Sequence, residues 1–436
     1  MNIPAINQTG SILGFKIQGK KWEALKNFAS MVCSRESTYR TALDISAFDF
    51  PTLLADIFRG PKKFLESVFE AASATLSIGL SPYINSMIAK LIGKFILPKD
   101  MQKDTLNYLQ FNMDELEDFE KFKKAAADIK EREVQDKKFI ASLYSNKNKS
   151  EHYLNQAKEI EKFCDNFEGK ATEEKMKLAY KLKKGTIIGE SILEGGWWGS
   201  FGLVMRAFRK YILKEDRFTG TKGYVSDTES QQIGEAGDLT LWQKIAGAIF
   251  TVIAPLCNIF LLNKVEDKKT VTESKILTKI KENFDLTHGI YPKLGLLFSI
   301  TSYPKWIGMI LTSQGNFERV ERFLKLITVL PSWWMGHRVT NGVLARKADK
   351  ELQEKYNIKG GILVEENHLN QKFPEPARIH HVMQASKENP QLQAEAESKH
   401  AECLYNGFIL HSLLVLAVNM GVNYITKLRA EKALGR

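Results

Sequence analysis

The chain has 436 residues, 44% of them hydrophobic and 26% charged, with a formal net charge of +11 and a mean hydropathy of -0.25. That length carries two or three domains with apolar cores of their own, and the composition excludes collagen-like, low-complexity and wholly disordered chains. Such a hydropathy also excludes a chain that is mostly bilayer-embedded, while leaving room for a few apolar spans between charged segments.

Residues 1–60 form an N-terminal region with an amphipathic stretch from Trp22 to Phe28 and a loop that enters a helix near Pro51. Its first residues carry no basic segment ahead of a continuous apolar run, so no secretory signal is expected. Residues 61–98 read as an apolar helical hairpin. Phe64, Leu65, Val68, Leu76, Leu80, Ile84, Ile88 and Leu91 recur at helical spacing, charge is absent from Ala71 to Ala89, and Ser81-Pro82 is where the helix should break. Residues 99–184 read as a charged helical hairpin. Leu116, Phe119, Phe122, Ala126 and Ile129 lie on one stripe, and Tyr153, Ala157, Ile160, Cys164 and Phe167 follow the alternating spacing of a short coiled coil. The part of it from 112 to 184 is the candidate surface for a protein partner or for self-association.

Residues 185–340 are a hydrophobic helical region. It opens on two small-xxx-small pairs, Gly185/Gly189 and Gly195/Gly199, beside Trp197-Trp198, and contains a polar Gly/Ser/Thr stretch at 214–240 expected as a flexible loop. Ile245–Leu262 carries no charge and is bracketed by Trp242, Lys244, Lys264, Lys268 and Lys269, meeting the length rule for a bilayer span. Leu294–Leu311, interrupted by Lys305, and Phe323–Met335 read equally as spans or as interfacial pieces. Residues 341–403 form a polar connector with a strand signal at Ile358–Glu365. The last segment, 404–436, is a hydrophobic helix with a basic tail: Leu404–Thr426 has no formal charge, and Lys427, Arg429, Lys432 and Arg436 follow. By the positive-inside tendency, the C-terminus is then cytoplasmic.

Charge and chemistry narrow the function classes. Between Pro98 and Lys184, 19 Lys and Arg stand against 18 Asp and Glu, so the longest charged block is balanced and the positive excess is diffuse. No basic run is interleaved with aromatic residues, and a nucleic-acid partner is not expected. Cys33, Cys164, Cys257 and Cys403 are too widely separated for a CxxC pair and read as small apolar residues in a reducing compartment. Gly14-Phe15-Lys16-Ile17-Gln18-Gly19-Lys20 matches a phosphate-binding loop until Lys21 takes the place of the hydroxyl that binds magnesium. His368, His380, His381, His400 and Cys403 cluster near the C-terminus without a metal-ligand spacing, and no metal, cofactor or catalytic residue is assigned. The candidate buried polar residues are Glu190 and Glu194, beside the tryptophan pair, and His411, Asn419 and Asn423, on one face of the last apolar run.

The expected fold is all-α, with hydrophobic helices, membrane-inserted, interleaved with a charged helical hairpin. The leading expectation is a helical integral or membrane-attached protein in a structural or interaction role rather than an enzyme, with the lipid bilayer as its first partner. The alternative is a soluble all-α interaction protein in which the apolar runs are core helices. A third is a transporter or enzyme with a site between the apolar helices, centred on Glu190 and Glu194.

Overall fold

The structure, a computed structural model, describes residues 9–34, 36–142, 144, 147–168, 173–215, 217–221, 223–233, 239–266, 275–284, 286–287, 291–292, 294–365 and 368–436. Residues 145–146 of the expected hairpin turn, 234–238 of the expected loop, and the flanking Lys268 and Lys269 lie outside the described residues. The fold is all-α apart, among the described residues, from two short hairpins, β1 (Thr9–Ile12) with β2 (Phe15–Gln18) and β3 (Leu286–Thr287) with β4 (Tyr291–Pro292). Helices of eight residues or more are α1 (Lys20–Cys33), α2 (Glu36–Asp44), α3 (Phe50–Ile57), α4 (Pro61–Ile96), α5 (Phe119–Ser142), α6 (Lys147–Glu168) and α7 (Glu173–Ala207). They continue with α8 (Leu241–Glu266), α9 (Lys275–Asn283), α10 (Tyr303–Leu311), α11 (Gly315–Ile327), α12 (Val329–His337), α13 (Val343–Tyr356), α14 (Ile379–Ser386) and α15 (Pro390–Ala433). Wide π-helical turns occupy Ile45–Asp49, Phe208–Ile212, Phe298–Ser302 and Arg338–Gly342.

Several expected boundaries are corrected. Residues 61–96 are one helix rather than a hairpin: Pro82 removes a single backbone donor, and side-chain bonds from Ser77 and Ser81 to α7 tie down the turns preceding it. The divisions at 184/185 and 403/404 fall inside α7 and α15, because a composition change along a helix need not interrupt its backbone bonds. The loop expected before Pro51 is helical from 36 to 57. Part of the expected flexible loop at 214–240 is packed, with Phe218, Thr219 and Thr221 buried. The 99–184 segment does contain two long helices, α5 and α6, and Ala157, Ile160 and Cys164 are buried as in ordinary helix packing. The strand signal at Ile358–Glu365 reduces to an isolated bridge, Val364 to Pro376.

The chain divides into two compact units, Met1–Thr52 with Arg132–Lys158 and Thr328–Asn419, and Leu53–Glu131 with Glu159–Ile327 and Met420–Arg436. The first has a conventional apolar core. Trp22, Ala29 and Val32 of α1, Leu43 of α2, Leu352 of α13, Val382 of α14 and Leu392 and Ala396 of α15 pack together, with Ile12 and Ile17 of the first hairpin against them. The turn of that hairpin puts Gly14 at φ 86°, a conformation that favours glycine. Asp349 accepts the backbone N–H groups of Ile362 and Leu363, both at 2.7 Å, and so holds the irregular segment against α13.

In the second unit α7 is the central helix, and its glycines set its neighbours. Gly185 and Gly189 face Ile92 and Ile88 of α4, Gly195 and Gly199 face Pro255 and Thr251 of α8, and Gly202 lies against the backbone of Gly308 in α10. The two small-xxx-small pairs thus serve two different contacts. The pairings make α4 and α8 both antiparallel to α7. They bring the uncharged 71–89 of α4, the 185–205 stretch of α7 and the uncharged 245–262 of α8 side by side. Nineteen helical residues rise about 28 Å, close to the roughly 30 Å hydrocarbon core of a bilayer.

Candidate functional site

The three helices of that layer are inverted. On α4 the stripe Leu76, Leu80, Tyr83, Met87, Leu91 and Phe95 is exposed, Met87 at 72%, whereas Glu66, Ser67, Glu70, Ser81 and Asn85 are buried. On α8 Ile249, Val252, Leu256 and Phe260 are exposed and Asn258 is buried, donating to the carbonyl of Ser299 at 3.2 Å. On α7 Ile192 and Leu193 face outward and Glu190 and Glu194 inward. In an aqueous fold these faces are reversed.

The inward groups form two connected sets. In the first, α4 and α7 make a ladder: Ser81 Oγ donates to Glu190 Oε1 at 2.8 Å, Ser77 Oγ to Glu194 Oε2 at 2.7 Å, and the indole of Trp198 to the same Glu194 oxygen at 3.0 Å. Serines four apart on one helix meet glutamates four apart on its antiparallel neighbour, so the rungs follow from the 3.6-residue period. Glu190 is wholly buried, and its Oε2 has no hydrogen-bond partner among the described residues. No cation pairs with either glutamate among the described residues.

The second set is a buried ion network at the N-terminal end of α4. Arg59 pairs with Glu321 at 2.6 Å and with Asp56 at 3.0 Å, and also donates to Asn423 Oδ1 at 2.8 Å. Arg209, carried on the π-helical turn after α7, reaches Glu66 at 2.9 Å and Glu318 at 2.9 Å. Arg322 bridges Glu66 at 2.8 Å and Glu70 at 3.2 Å, and Lys305 meets Glu70 at 3.0 Å. Lys63 and Lys325 complete it, with Glu66 and Glu321 each 3.3 Å away. Lys305 also lies 5.4 Å from the centre of the Trp198 ring, which places it between the ladder and the network.

Burial alone raises the carboxyl groups of Asp56 and Glu321, but the surrounding cations outweigh it. Lys325, Lys63 and Arg59 hold Asp56 below its ordinary value, and Arg59 and Lys325 hold Glu321 well below.

The expected polar residues are placed as follows. Glu190 and Glu194 share the ladder, and Asn423 joins the ion network, donating also to the carbonyl of Ala55 at 3.1 Å. Asn419 and His411 belong to the first unit. Asn419 donates to the Val415 carbonyl at 3.0 Å, and His411 Nε2 bonds the Ser332 carbonyl at 3.0 Å, its ring seated against Gly336. His411, Asn419 and Asn423 are all buried, as one helix face, but no described contact joins His411 or Asn419 to the ladder. Of the C-terminal histidines, His380 lies 3.3 Å from Asp136, His381 bonds the Gly361 carbonyl and His400 that of Ala377. Among the described residues no three His, Cys, Asp or Glu side chains converge as metal ligands.

Sequence reading missed the ion network. Its signal was present as Asp56, Arg59, Lys63, Glu66 and Glu70, and again as Glu318, Glu321, Arg322 and Lys325, both at helical spacing. Such charged stripes ordinarily mark the solvated face.

No protein-family model, no curated protein and no solved structure matches the chain. Fold and site define an all-α protein in which two helices, α8 and α15, are long and apolar enough to cross a membrane.

Proposed function

We propose that the chain is an integral helical membrane protein, whose α4, α7 and α8 present apolar faces to lipid and enclose the carboxyl-serine ladder. The observation that carries this reading is the inversion itself: apolar side chains outside, and polar and charged ones within, over a layer as thick as a hydrocarbon core. Burial also argues against the soluble alternative. A core helix of a soluble protein is mostly buried, whereas only 28% of the most apolar window of α8, and 28% of that of α15, is covered. In this reading the basic residues Lys427, Arg429, Lys432 and Arg436 after the apolar part of α15 favour a cytoplasmic C-terminus by the positive-inside tendency.

The enclosed polar groups favour a membrane role that uses them over a purely scaffolding one, because ionisable side chains inside a membrane layer are costly unless they serve function. The test is fractionation of the expressed full chain. Membranes are washed with high salt, then with carbonate at high pH, then extracted with detergent. Release only by detergent supports the reading. Release by salt or carbonate means peripheral attachment, and recovery in the soluble fraction overturns it.

A further inference from the structure

The β1–β2 hairpin ends in a turn with an unusual choice of residues. Ile12 pairs with Phe15, which leaves Leu13 and Gly14 as a two-residue turn, with φ 46° and 86°. Asn-Gly or Asp-Gly ordinarily fills such a turn, because a short polar side chain tolerates the left-handed region and is solvated there. Here a leucine takes the first position. Leu13 is 46% exposed and Phe15 beside it 76%, whereas Ile12 and Ile17 of the same two strands pack against the core. Lys16, Lys20 and Lys21 are exposed around them, and none of the three has an ion pair among the described residues.

The last helix fixes where this tip lies. Leu13 N–H donates to Asn406 Oδ1 of α15 at 2.6 Å, and the neighbouring Tyr405 hydroxyl donates to the Leu25 carbonyl of α1 at 2.7 Å. Asn406 stands four residues before Leu410 and seven before Leu413, so the three share one face of the helix. From Leu410 and Leu413 an exposed apolar stripe continues through Leu414, Met420 and Tyr424, on a helix long and apolar enough to cross a membrane. The residue that holds the tip is therefore only about 6 Å along the axis from the head of that stripe. Apolar side chains and unpaired lysines at the end of an apolar stripe suit a headgroup boundary, where the ammonium groups reach phosphate and the apolar tips enter the acyl region.

We propose that the β1–β2 tip is an interfacial membrane anchor: Leu13 and Phe15 enter the leaflet beside the head of the α15 stripe, and Lys16, Lys20 and Lys21 meet lipid phosphates. The inference rests on the reading of the chain as a lipid-embedded protein, and it gives the first unit a bilayer contact of its own.

The test uses the full chain in vesicles of phosphatidylcholine and phosphatidylglycerol, in a Cys403→Ser background. A nitrobenzoxadiazole fluorophore is attached either to Lys16→Cys, with Cys257→Ser, or to the native Cys257 on α8; Cys33 and Cys164 are buried. The quenchers are phospholipids with a nitroxide at a shallow or a deep acyl position, and iodide in the water. The expected result at position 16 is quenching by the shallow nitroxide and shielding from iodide. Leu13→Asn with Phe15→Ser in the same labelled chain should lower the lipid quenching several-fold and admit iodide. Asparagine suits the turn, and melting midpoints in detergent report that the variant folds. Iodide quenching at position 16 while Cys257 is quenched from the lipid overturns the anchor and leaves the membrane reading standing. Unchanged lipid quenching in the folded variant overturns it as well, because α15 alone then carries the tip to the bilayer. Iodide quenching at Cys257 overturns the membrane reading and the anchor with it.

Discussion

Glu66 is wholly buried, yet Arg209, Arg322 and Lys63 contact it and Thr219 donates to it. Removing one partner from such a set leaves a charge that water cannot reach, so Arg322→Gln is expected to cost about 3–5 kcal/mol. Glu190 differs: its bond from Ser81 can be given equally to an amide oxygen, and Glu190→Gln is expected to stay within about 1 kcal/mol of the native chain. Unfolding midpoints of the two variants check the contrast. The pH dependence follows from the same cations. Because Asp56 and Glu321 are held below their unfolded values, their contribution is fully present above the ordinary carboxylate range of about 4 and is lost as pH falls through the lower folded values. The share of stability that these carboxylates contribute should therefore be flat near neutrality and decline only in acid, separate from the loss that buried His400, lowered by burial to about 4, brings as pH falls through its unfolded value of about 6.5. Melting curves in a pH series compare the native chain with His400→Gln, and a decline beginning above about pH 6 that persists in the variant would contradict this. A native thiol offers a further check. Cys257 is exposed on the outer face of α8, between Leu256 and Phe260, whereas Cys33 and Cys164 are buried. In intact membranes it should resist a water-soluble maleimide and react after detergent extraction; rapid labelling before extraction would place that face in water.

At the scale of the element, α7 depends on close approach. A methyl at Gly202 would overlap the Gly308 carbonyl and Thr312, and neither backbone can withdraw without moving α10. Gly202→Ala is expected to destabilise by about 1–3 kcal/mol or more, whereas Gly79→Ala on α4, where nothing lies near, should be neutral or slightly favourable. Much of this was legible beforehand. The apolar periodicity of α4, the uncharged run of α8 and the glycine pairs of α7 all predicted helices and close contacts. What periodicity could not give was the direction each face points. Leu76, Leu80 and Met87 on one side of α4 and Glu66, Glu70 and Ser81 on the other read identically for a helix in water and a helix in lipid, because the spacing of apolar and polar residues records only that two faces differ. The same ambiguity hid the ion network: Glu318 and Arg322 look like a solvated pair until Glu66, 252 residues earlier than Glu318 in the chain, is brought to them by the fold. Pro82 misled for a different reason, since a proline removes one bond while a helix held on its inner face by Ser77 and Ser81 keeps the rest.

For the whole molecule, the polar side of α4 explains what is inside and its apolar side determines what must surround it. That outer stripe is free of charge from Ala71 to Ala89, and exposed Lys90 follows it at once, so its uncharged length of about 28 Å is close to the roughly 30 Å of hydrocarbon in an average bilayer. A bilayer thicker or thinner than that leaves a mismatch that costs a fraction of a kcal/mol for each ångström. In a membrane the protein is then a gauge of bilayer thickness. Reconstituted into vesicles of increasing acyl-chain length, it should be most stable at the intermediate thickness and lose thermal stability toward both shorter and longer lipids.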